Sequence, residues 1–412
     1  MYRHPEDRDL SPIRVLPGSR PIAALIPIMA IILIAFFVIG LALPVLPLHV
    51  HDRLGFGAFT VGLVTGSQFG AALLSRVWAG QYADGRGSKR AVIAGLLSAA
   101  AAGLFYLLSL HVMAAPLLSV TVLFTGRAVL GGAESFIITG AVSWGLALVG
   151  TANAGRVIAW VGMAMFAALA LGAPLGTSLY GLGGFAAIAV STIAVPLAAV
   201  GLVARLPAVP PQRGRRPATA KVAAAVWLPG FGSALSSVGF GAMIAFSSLL
   251  SAAHGWEPIW LVFTTFAASL VVARLLLGHA PDRWGGARVA LVCVLIEAAG
   301  LVLIGLAPDR SVASVGAALA GLGYSLVYPG FGVEAVRCAP PQSRGLAMGA
   351  YTVFLDMALG IGSPALGLVA GRFGLDAAVL VGALIVLGAA AVALYLLSAD
   401  CRKGDEQCLT SS

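Results

Sequence analysis

The chain has 412 residues, 59% of them hydrophobic and only 10% charged, with a formal net charge of +9. An ordinary soluble domain carries roughly 25% charged residues. This composition therefore excludes a dispersed globular protein of the same length and points to a chain that lives in a bilayer.

The apolar residues come in blocks, each able to cross a hydrocarbon core of about 30 Å as a helix of about 20 residues. Hydrocarbon offers backbone amides no partner, and the blocks lack the alternation of a barrel strand, so the fold class is all-α. In chain order the predicted spans are 22–46, 58–79, 90–110, 115–145, 156–179 and 183–204, then 224–251, 258–279, 288–307, 312–336, 345–371 and 376–398. That makes twelve transmembrane helices in two six-helix bundles, 22–204 and 224–398. Residues 205–223, proline-rich and basic, read as the linker between them. Residues 1–21 and 399–412 read as polar tails. No small-residue cleavage site follows the first apolar block, so it is taken as a retained span.

Charge orients the bundle. On this map 21 of the 25 Lys and Arg residues fall on the side of the two tails, against Arg53, Arg310 and Arg372 opposite, with Arg127 left inside a span. The positive-inside rule then places both termini in the cytoplasm of a bacterial inner membrane. The same topology accounts for the net charge without a nucleic-acid partner. Cys293, Cys338, Cys401 and Cys408 form no close pair, and the six histidines fall near helix ends or in loops. Neither a disulfide framework, a metal site nor a catalytic cluster is expected, so no cofactor is invoked.

An internal repeat confirms the two halves. The turn after the second span carries Arg76, Gly80, Asp84, Gly87 and Arg90; the turn after the eighth carries Arg274, Gly278, Asp282, Gly285 and Arg288. All five pairs lie 198 residues apart: Arg76 with Arg274, Gly80 with Gly278, Asp84 with Asp282, Gly87 with Gly285 and Arg90 with Arg288. Gly172-Ala173-Pro174 is echoed 190 residues later by Gly362-Ser363-Pro364. Parallel repeats related by an axis along the membrane normal build one class of transporter, with the solute site between the halves.

The Gly80-to-Arg90 pattern resembles the signature between helices two and three of the major facilitator superfamily, and Arg127-x-x-x-Gly131 resembles a second one. Two stretches, from Val50 and from Tyr351, resemble the YhhS/YfcJ-type branch of bacterial efflux permeases, whose members are mostly of unassigned function. The resemblance implies a monomer that contacts only lipid and a small solute. It also implies a cytoplasmic latch at Asp84, Arg90, Asp282 and Arg288, and links Arg127 with proton relay.

The residues add candidates of their own. Ionisable groups inside a span cost several kcal/mol by most estimates and mark functional sites; here they are Arg127, Glu134, Glu297 and Asp356. Arg127 and Glu134 are seven residues apart and share a helix face. Asp356, among Phe354, Leu355 and Met357, suits a proton carrier whose solvation changes with access. Glu297 is expected toward the periphery of its bundle, because the resemblance implies that helix nine is peripheral. Gln68, mid-span, needs a polar partner. Asp84 can pair with Arg76 or Arg90 across a turn made tight by Gly80 and Gly87. Gly172, Pro174, Gly176, Gly362 and Pro364 read as kink and close-packing elements.

The function expected is secondary transport by alternating access, as a proton-coupled exporter driven by the proton gradient. A proton symporter or facilitator for a sugar or other metabolite is the alternative within transport, and a membrane-embedded enzyme a remote one.

Overall fold

The computed structural model describes residues 21–150, 154–209, 219–338 and 344–410. Among them every regular element is a helix. In order these are α1 (Pro21–Ala42), α2 (Val45–Leu48), a π-helical turn (His49–Arg53), α3 (Ala58–Arg86), α4 (Ser88–His111), α5 (Pro116–Val149) and α6 (Ala154–Ala204). Then come α7 (Thr219–Ala253), α8 (Leu261–Leu277), α9 (Ala280–Trp284), α10 (Gly286–Gly305), α11 (Arg310–Cys338), α12 (Arg344–Phe373) and α13 (Leu375–Thr410).

Among the described residues, ten helical segments are long and apolar enough to cross a membrane. They reach the expected twelve only when α6 is counted as two crossings and the 17-residue α8 is added. The fifth and sixth spans, expected as separate helices, run on as α6; the chain turns at Gly183 (φ −138°) and Gly184 (φ 60°), where missing side chains permit the break. The first span is interrupted at Leu43 and Pro44, whose ring cannot donate to the helix ladder. Helix α7 begins inside the expected linker and α13 runs through most of the expected second tail. The first tail (1–20), the middle of the linker (210–218) and the last two residues lie outside the described residues.

The repeat is visible in the packing. A Cβ on Gly126, Gly131 or Gly140 of α5 would strike Tyr106, Gln68 or Val92; the glycines 190 residues later, Gly316, Gly321 and Gly330 of α11, are closed off by Ile304, Phe266 and Ala290. Each partner pair is itself displaced by 198 residues. Small residues let backbones touch where lipid gives no hydrophobic drive for association.

Gly87 and Gly285 sit at φ 94° and φ 90° between α3 and α4 and between α9 and α10. Side chains rarely adopt this backbone, so each glycine turns the chain sharply from one helix into the next.

Candidate functional site

Helix α3 of the first half and α12 of the second run antiparallel along the boundary between halves. Gly367 closes on Ala58 and Phe59, Ser363 and Pro364 on Gly62, and Gly360 on Gly66 and Gly70. At the end of this seam Asp356 on α12 takes the guanidinium of Arg76 on α3, with Nε donating to Oδ2 over 2.9 Å and Nη2 to the same oxygen. Beyond the pair, Cβ atoms on Gly80 of α3 and Gly349 of α12 would meet no atom within 4 Å. An ion pair thus clasps the halves at the end of this run of close glycine contacts. The Asp356 side chain is 4% exposed and that of Arg76 20%.

This corrects two expectations. Arg76 does not serve Asp84; it lies well inside α3 and reaches across to the other half. Asp84 and Arg90 are exposed and form no ion pair among the described residues, and the same holds for Asp282 and Arg288. Gly80 makes no close approach here.

Next to the clasp, Gln68 Nε2 donates to Glu134 Oε2 over 2.6 Å, with both side chains buried. The contact exists because Gly131 lets α5 lie directly on the Gln68 backbone. Glu134 is within electrostatic reach of Asp356, Arg76 and Arg127, so the two carboxylates share one charged neighbourhood. Arg127 is fully buried on the same helix. Its Nη1 donates to the Tyr106 hydroxyl over 3.4 Å, while Nε and Nη2 have no hydrogen-bond partner.

Glu297 is not peripheral. It is 1% exposed inside the second half, where Ser236 on α7 donates to its Oε2 over 2.5 Å. Gly239 on α7 and Gly323 on α11 let those helices close over it, a packing that hydropathy alone does not report. Glu334 is structural: it bonds Arg337 over 3.1 Å and accepts the Ala287 amide at the start of α10 over 2.9 Å.

The kink elements hold α6 against α1. Gly172 meets Gly40 and Gly176 meets Leu41, while both α6 and α12 continue through Pro174 and Pro364. Gly362 faces Val238 on α7.

Sequence reasoning missed the second contact between halves. Arg274 on α8 lies over the ring of Phe166 on α6 at 5.8 Å, and its Nη2 donates to the Ser325 carbonyl over 2.6 Å. Tyr328 is within electrostatic reach of Arg76, Asp356 and Arg274.

The Major Facilitator Superfamily profile matches residues 28–260 and 231–406. The chain is 40% identical to the uncharacterized MFS-type transporter YhhS of Escherichia coli (strain K12) over 381 residues, 92% of this chain and 93% of that one. It is 40% identical to the uncharacterized MFS-type transporter STM4428 of Salmonella typhimurium over 371 residues, 90% of this chain and 95% of that one. Among solved structures, the nucleoside transporter NupG superposes with a TM-score of 0.70 at 15% identity, covering 91% of this chain and 99% of that one. At that identity the likeness concerns the fold alone.

Proposed function

We propose that this chain, which belongs to the major facilitator superfamily and is a membrane transporter, works as a proton-coupled exporter of a small solute in a bacterial inner membrane. One observation carries the proposal: the only ion pair between the halves among the described residues joins Arg76 to a titratable partner, Asp356, at membrane depth. A proton arriving at Asp356 removes the charge that holds Arg76, and the clasp opens. A proton leaving restores it. Glu134, in the same charged neighbourhood, offers the next resting place for that proton.

The sidedness follows from the positive-inside rule. With both termini cytoplasmic, the glycine seam from Ala58 to Gly70 lies toward the periplasmic end, and the ends of α3 and α12 beyond the Arg76–Asp356 pair face the cytoplasm. The separated Asp84 and Arg90 then belong to a latch that assembles in the opposite state. Such a carrier takes solute from the cytoplasm in the conformation described and needs a proton to reset.

The test uses everted membrane vesicles with an imposed pH gradient and a pH-reporting dye. Organic acids, amines, sugars and drugs are added one at a time. The expected result is dissipation of the gradient by one chemical class in vesicles carrying the protein and none in vesicles without it. Solute accumulation that moves protons in the same direction as solute would replace the exporter by a symporter.

A further inference from the structure

The two contacts between halves are repeat-equivalent. Arg76 and Arg274 are 198 residues apart; Asp356 and Phe166 are 190 apart, each eight residues before the proline of its Gly-x-Pro element. The structure pairs them accordingly, Arg76 with Asp356 and Arg274 with Phe166. Where the first arm has a carboxylate, the second has a ring.

Arg274 is therefore short of a charge. A guanidinium offers five donors in a fork suited to a carboxylate. Among the described residues Arg274 donates one hydrogen bond, to a neutral carbonyl, and has no carboxylate within ion-pair distance. A ring face attracts the cation but does not neutralise it. The side chain keeps part of its surface open, while the rings behind it are buried. Behind it stands a row of rings: Phe166 meets Phe240 edge-on at 6.0 Å, and Phe240 stacks on Tyr324 at 4.8 Å and on Phe266 at 5.8 Å.

We infer that Arg274 and the Phe166–Phe240–Tyr324 rings form a substrate subsite for a small aromatic carboxylate, whose acid group fills the place that Asp356 fills on the first arm. This rests on the reading of the chain as a solute carrier and names the class of its cargo. It also gives the asymmetry a use, because one arm holds a resident carboxylate that titrates and the other waits for one that travels.

The test is a binding measurement on the purified full chain in detergent, with no pH gradient, so its outcome is independent of the exporter proposal. Thermal midpoints are recorded with benzoate and with its neutral counterpart benzamide. Benzoate raises the wild-type midpoint and benzamide does not. Arg274→Gln weakens benzoate binding by about tenfold to a hundredfold, the range expected for losing hydrogen bonds to a charged group. Two substitutions separate charge from packing: Phe166→Asp supplies the missing carboxylate, and Phe166→Asn removes the same ring without it. Phe166→Asp is the more stable of the two and no longer responds to benzoate. Equal midpoints for these variants, or equal effects of benzoate and benzamide on the wild type, would overturn the assignment.

Discussion

Asp356→Asn loses solute-driven proton movement and shifts the protein away from the conformation described. Removing one member of a buried pair leaves the other uncompensated, at a cost of about 3–5 kcal/mol. Arg76 keeps 20% of its side-chain surface exposed, and water can take up part of that charge. We therefore expect about 2 kcal/mol, which moves a two-state equilibrium by about 30-fold. The variant stays folded, because the glycine seam between α3 and α12 does not depend on the ion pair. Arg76→Gln combined with Asp356→Asn relieves the stranded cation and regains thermal stability without regaining coupling. Recovery of both in the double variant would make the pair a structural bridge and no more. The readouts are a thermal midpoint and dye-reported proton flux in everted vesicles.

Gly131→Ala has the larger effect on folding. A Cβ there would lie 1.8 Å from the Gln68 carbonyl oxygen and 2.7 Å from its carbon, both backbone atoms that cannot rotate away. Helices α3 and α5 must move apart, at the upper end of the about 1–3 kcal/mol typical of overpacking or beyond it. The Gln68–Glu134 hydrogen bond goes with the contact. Gly132→Ala is the control: one residue on, the nearest atom to its Cβ is Ser75 Oγ at 4.0 Å. Size-exclusion profiles and thermal midpoints of the two purified variants separate them. Equal behaviour would mean that α3 and α5 do not pack as described.

The positions of the spans were legible because each must be apolar over the thickness of a bilayer, whatever its neighbours. The repeat was legible because the turns it builds need particular residues, Gly87 and Gly285 above all. Gln68, Glu134 and Asp356 stood out as polar groups where polarity is costly. Their partners did not, since hydropathy says how deep a residue lies and not which helix it faces. Arg76 read as a turn residue because of its distance from Asp84 in sequence, yet its partner is 280 residues away. Glu297 read as peripheral because helix nine is peripheral in the fold the chain resembles, and nothing in its own span reports that Gly239 and Gly323 seal it in. Arg274 and Phe166 carried a signal after all. The two offsets of the repeat place them as counterparts of Arg76 and Asp356, and applying both offsets together would have paired them.

The most direct test of the account is a pair of distances measured at opposite ends of the molecule. Spin labels at the exposed positions Arg53 and Arg372 report the end of the glycine seam, and labels at the exposed positions Arg86 and Arg283 report the opposite end. The labels are placed in a chain whose four cysteines are replaced by alanine. Two halves rocking about the Arg76–Asp356 clasp predict that Asp356→Asn lengthens the first distance and shortens the second. Distances that stay fixed, or that change in the same direction at both ends, would contradict it.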